Sequence, residues 1–131
     1  MSNDINNLLI YLIDDDPMSN FVNTKLIHKI LPNVEVVAFL RSTDALVDLR
    51  DILKVKPKMI FLDLNMPIMN GWDFMEEFKK MGLEIEIVIL SSSNMLEDKL
   101  RAINNKQVKD YIVKPLSKDV LNNLFDKTSK D

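Results

Sequence analysis

Short unbroken apolar runs alternate along this chain with segments in which apolar residues recur every three or four positions. The runs fall at 8–13, 34–39, 59–62, 85–90 and, more weakly, 111–113. Runs of that length without polar alternation predict strands buried on both faces of a parallel sheet. Between them, Met18, Phe21, Val22, Leu26 and Ile30 form a helical stripe that stops at Leu31-Pro32. Ala45, Leu46, Leu49 and Leu53 make a second stripe, and Phe74, Phe78 and Met81 a third, closed by Gly82. The fourth is Met95, Leu96, Leu100 and Ile103, and the fifth is Val120, Leu121, Leu124 and Phe125. Stripes of this kind are expected to face a core.

The helix boundaries carry their own signals. Asp16 before Pro17 predicts an N-cap followed by proline at the first helical position. Ser42 and Ser117 are placed to cap the second and fifth helices, and Gly82 suits the end of the third. Five strands alternating with five helices predict an α/β, doubly wound, three-layer sandwich with right-handed crossovers. The pattern occupies residues 1–131 as one domain, with a core at about 7–127, and leaves no second domain.

Composition narrows the function. Seventeen basic against 20 acidic side chains give a net charge of −3, a poor balance for binding nucleic acid through its phosphates. No cysteine is present, so disulfide, thiolate and thiolate–metal chemistry are excluded. The N-terminus has no basic segment followed by a long apolar run. A soluble, cytoplasmic protein without a membrane partner is therefore expected.

The chemistry gathers where ligands bind in such folds, beyond the carboxyl ends of the strands. Asp14, Asp15 and Asp16 follow the first run, Asp63 the third, Ser91, Ser92 and Ser93 the fourth, and Lys114-Pro115 the fifth. Carboxylates brought together at neighbouring strand ends repel one another unless something positive sits among them. Mg²⁺, a hard cation that favours oxygen ligands, suits that position. Asp15 and Asp63 are the expected direct ligands, with Asp14 acting through a water and one loop carbonyl after Asp63 completing the set. A carboxylate can also be a nucleophile, giving an aspartyl phosphate. Lys114 and the Ser91 hydroxyl would then stabilise the charge of the transferred group.

Four segments resemble the receiver domain of two-component response regulators: Leu12-Ile13-Asp14-Asp15-Asp16-Pro17, Phe61-Leu62-Asp63-Leu64-Asn65-Met66-Pro67-Ile68-Met69-Asn70-Gly71, Ile89-Leu90-Ser91-Ser92-Ser93 and Tyr111-Ile112-Val113-Lys114-Pro115-Leu116. The resemblance implies a flavodoxin-like (βα)5 fold with strand order 2-1-3-4-5. It places Asp63 at the phosphoacceptor, Asp14 and Asp15 at the acidic pair that holds Mg²⁺, and the Asn65 backbone carbonyl among the ligands. Ser91 matches the switch hydroxyl, Lys114 the phosphate-contacting lysine and Tyr111 the switch aromatic. Lys114-Pro115 matches a cis peptide bond. The implied partners are a sensor histidine kinase or histidine phosphotransfer protein as donor, and an unidentified protein target. The output face is formed by the fourth helix, fifth strand and fifth helix. No output domain follows, so a stand-alone receiver that catalyses only its own phosphorylation and slow dephosphorylation is expected. Residues 104–110 depart from the family's Gly-Ala step before the fifth strand.

Other readings are weaker. An aspartate-nucleophile phosphohydrolase wants a general acid two residues after its nucleophile, where this chain has Asn65. An interaction module that had lost the chemistry would not need every pocket residue. An FMN protein would want glycine and hydroxyls in the acidic first loop. Asp16 reads as a helix cap, His28 as an ordinary boundary histidine and Trp72 as packing at the start of the third helix.

Overall fold

The computed structural model describes residues 9–129, with side chains as far as residue 126. The expected strand start at Leu8 lies outside the described residues; of the stretch 127–131 expected to fray, helix continues to Ser129 and the remainder lies outside the described residues. In chain order the elements are β1 (Leu9–Ile13), α1 (Pro17–Ile30), β2 (Glu35–Phe39), α2 (Ser42–Arg50), β3 (Met59–Asp63), α3 (Gly71–Lys79), β4 (Glu86–Ser91), α4 (Leu96–Ile103), β5 (Val108–Val113) and α5 (Lys118–Ser129). The five strands form one sheet in the order β2-β1-β3-β4-β5, each neighbouring pair parallel.

Period-two alternation in the central strands feeds two cores, one on each side of the sheet. Tyr11, Ile13, Ile60, Leu62, Ile87 and Ile89 meet α2 and α3 through Ala45, Leu49, Phe74 and Phe78. Ile10, Leu12, Met59, Phe61, Val88 and Leu90 meet α1 and α5 through Ile27, Leu121, Leu124 and Phe125. Burying each large side chain stabilises by about 1.5–3 kcal/mol, so both layers hold the strand ends at one rim in fixed register.

The caps follow their chemistry in part. Asp16 accepts from the Met18 N–H ahead of Pro17, Ser117 Oγ accepts from the Val120 N–H, and Gly82 takes a left-handed φ of 68° just past α3. Ser42 does not cap α2. It is the first helical residue after Arg41, buried, and its hydroxyl donates to Met66 Sδ at 3.6 Å.

Two apolar stripes, and the last residue of a third, do not point where helical spacing predicts. On α1, Met18 and Phe21 are 66% and 59% exposed, while Asn20, Asn23 and Ile27 are buried. The Asn20 amide donates to the Asp14 carbonyl at 2.9 Å, a polar contact that fixes the helix roll at the strand end. Leu53 lies beyond the end of α2 and is 91% exposed, because the chain has already turned at Asp51, whose carboxylate accepts from the Leu53 N–H. On α4, Leu96 and Ile103 are 69% and 74% exposed, and the residue that packs inward is the small Ala102. The last strand is longer than its apolar run, because Val108, Lys109 and Asp110 pair with β4 at the sheet edge, with a register shift between Ile87 and Val88.

Candidate functional site

Parallel strands end together, and the rim formed by β1, β3, β4 and β5 gathers the expected residues. Oxygens of Asp14, Asp15 and Asp63 lie within 4.8 Å of one another. Asp14 and Asp63 are buried and Asp15 is exposed. Local hydrogen bonds aim them: Asp14 Oδ1 accepts from the Asp16 N–H at 3.0 Å, and Asp63 Oδ1 accepts from the Asn65 N–H at 3.2 Å. Gly71 closes the loop after β3. Its N–H donates to the Leu64 carbonyl at 3.0 Å, and a Cβ there would lie 2.9 Å from the Asp63 carbonyl oxygen.

Lys114 reaches in from the end of β5. Its Nζ lies 2.8 Å from Asp14 Oδ2 and 3.7 Å from Asp63 Oδ2, and the following Lys114–Pro115 peptide bond is cis. Burial works against the Lys114 charge, but the hydrogen bond to Asp14 and the fields of Asp63, Asp14 and Asp15 outweigh it and raise its pKa. Asp63 responds in the opposite sense. Burial pushes its pKa up to about 6, with Asp14 and Asp15 adding to the rise and Lys114 and the Asn65 N–H opposing it. One ammonium is too little for three carboxylates. The donor set is hard oxygen at a site short of positive charge, which fits a divalent cation.

The Ser91 side chain is buried at the end of β4, one residue past Leu90, the register partner of Asp63. Its Oγ accepts from the Ser93 N–H at 3.0 Å. Ser93 makes two further contacts: its Oγ accepts from the Met95 N–H at 3.2 Å, and its carbonyl accepts from the Tyr111 hydroxyl at 2.8 Å. Tyr111 is half-buried against the α2–α3 core. The rim thus connects through one serine to the start of α4 and to β5. Asn65 is exposed in the loop after β3. In that loop Ile68 holds a left-handed φ of 69°, a strained backbone for a β-branched residue.

The role of Asn20 and the links made by Ser93, itself noted after the fourth run, were not read from the sequence. Asn20 lies off the apolar stripe, on the face it shares with Asn23 and Ile27, so apolar spacing carried no signal for it. Ser93 acts mainly through its backbone, which leaves no trace in residue type. His28 donates a ring N–H to the Val34 carbonyl at 2.9 Å, an ordinary boundary contact.

A doubly wound five-stranded sheet with an acidic pocket at this rim defines a flavodoxin-like signalling module of the kind phosphorylated on aspartate. The response regulator receiver domain model matches residues 10–126, and the chain belongs to that family. It is 32% identical over 112 residues to the nitrate/nitrite response regulator protein NarL of Escherichia coli, covering 86% of this chain and 50% of that protein. The chain thus spans about half the length of that curated relative. A two-component response regulator from Cytophaga hutchinsonii superposes with a TM-score of 0.83 at 32% identity, covering 94% of this chain and 97% of that one. One from Legionella pneumophila gives 0.80 at 26% identity, covering 95% and 99%. Among the described residues no helix is long and apolar enough to cross a membrane.

Proposed function

We propose that the chain is a phosphorylation switch whose Asp63 accepts a phosphoryl group from a phosphohistidine on a sensor histidine kinase or histidine phosphotransfer protein. A carboxylate oxygen of Asp63 attacks phosphorus, the P–N bond breaks, and the leaving imidazole keeps the electron pair and takes up a proton. The observation that carries this reading is Lys114 Nζ held between Asp14 and Asp63, above a carboxylate that burial would otherwise leave uncompensated. Lys114 is placed to move from Asp14 to the new phosphoryl oxygens, and the Ser91 hydroxyl to exchange its bond with the Ser93 N–H for one to the same group. Asp15, Asp63 and the Asn65 carbonyl would hold Mg²⁺ directly and Asp14 through a water, and the bound ion would neutralise charge that builds on the phosphoryl oxygens.

The outward apolar face of α1 supports a protein as donor. Phe21, Pro17 and Leu40 line a cleft beside the acidic rim, and exposed apolar surface of this kind marks docking sites. On the output side, the bonds from Ser91 through Ser93 to Met95 and Tyr111 lead from the pocket to the face made by α4, β5 and α5. That face would change its population of shapes on phosphorylation and so signal to a protein target. Beyond its own phosphorylation and slow dephosphorylation, no turnover is assigned to the chain.

Labelling with radioactive acetyl phosphate in Mg²⁺ tests the assignment. Wild type takes up label and Asp63→Asn takes up none; label retained by Asp63→Asn would refute the site.

A further inference from the structure

Helix α4 is held at both ends and hardly at all along its middle. At its start, Met95 is tied through Ser93 to Ser91. Along its length only Ala102 is buried, and Leu96, Leu100 and Ile103 face outward. At its far end the Arg101 guanidinium lies over the Trp72 ring, 4.2 Å from the ring centre. The Asn105 amide, just beyond the helix, reaches Met75 Sδ of α3 at 3.8 Å.

Trp72 is a fixed surface for that contact. It follows Gly71, whose N–H is bonded to Leu64 and whose Cα packs so closely on the Asp63 and Leu64 backbone that no side chain fits. The ring also packs on the α2–α3 core. Trp72 therefore rides with the phosphoacceptor strand, whereas Arg101 rides with α4. A contact between a fixed part and a moving part differs between two states, and only such contacts bias a switch.

We propose that Arg101 is a positioning residue of the switch: stacked on Trp72, it holds the far end of α4 in the arrangement where Ser91 is bonded to Ser93 and Lys114 to Asp14. This inference rests on the phosphorylation reading above, and it adds a second tie, remote from the pocket, that must loosen when the first is exchanged. Exposed cation–π contacts are modest, so removing this one shifts the switching equilibrium roughly two- to fivefold.

The test uses the full chain with Mg²⁺ and beryllofluoride, a mimic of the phosphoryl group, read through the single tryptophan. Arg101→Ala binds beryllofluoride two- to fivefold tighter than wild type, and Arg101→Lys, which keeps the charge, falls between them. In metal-free protein, acrylamide quenches Trp72 more readily in Arg101→Ala than in wild type, a readout independent of the pocket. Because Arg101 is exposed and buries nothing else, its replacement costs folding stability no more than the contact itself, roughly the same two- to fivefold. Equal beryllofluoride midpoints for wild type and Arg101→Ala, or weaker binding by the variant, overturn the inference while leaving the phosphorylation reading intact. Failure of wild type to respond to beryllofluoride, together with failure of Asp63 to label, sinks both.

Discussion

Asp63 is where burial and chemistry pull against each other. Its folded-state pKa, raised to about 6, lies above the value near 3.9 expected in the unfolded chain. The folded protein therefore holds the Asp63 proton more tightly, and the associated stability is complete below about pH 4 and lost as pH rises through about 6. Metal-free protein is expected to lose about 3 kcal/mol at most from this group across that window. Urea unfolding at a series of pH values checks it: Asp63→Asn flattens the decline, and saturating Mg²⁺, which favours the ionised carboxylate, suppresses it in wild type. A slope identical in variant and wild type would show that the group is not buried against its neighbours. Most of the pocket was legible in the sequence because strand ends converge in any parallel sheet, which places Asp14, Asp63, Ser91 and Lys114 on one rim. The connection through Ser93 was not, since its links run chiefly through backbone groups that every residue possesses.

At the scale of the elements, apolar spacing identified every helix but misjudged which face two of them bury. Phe74 and Phe21 occupy comparable helical stripes, yet Phe74 is sealed in the core and Phe21 faces solvent. Phe74→Ala is expected to cost about 3–5 kcal/mol through cavity formation. Phe21→Ala is expected to stay within about 0.5 kcal/mol, as exposed substitutions do. Chemical denaturation of the two variants side by side distinguishes them, and a large loss at Phe21 would mean that α1 buries its apolar stripe in solution. Helical periodicity reports that a stripe exists; the roll of the helix depends on contacts distant in sequence. On α1 that contact is Asn20 with the Asp14 carbonyl. On α4 the small Ala102 sits inward, so the bulky residues are displaced to the outer surface. The fifth strand was underestimated for a related reason: an edge strand needs apolar residues over only part of its length, so Lys109 and Asp110 hid its beginning.

For the molecule as a whole, the consequence lies in where motion is permitted. Strands β1 and β3 are sealed between the two cores, so their backbone amides open only with the complete chain, whereas α4 has little to break before it opens. Deuterium uptake should accordingly be slowest in β1 and β3 and fastest, among the helices, in α4. Beryllofluoride should change uptake in the stretch from Ser91 to the end of α4 and in β5, while the central strands keep their rates. Altered exchange in β1 or β3 would mean that the sheet itself deforms. An unmoved sheet would act as the chassis of the switch, letting a charge placed at one rim be felt at a flank without loosening the fold that carries it.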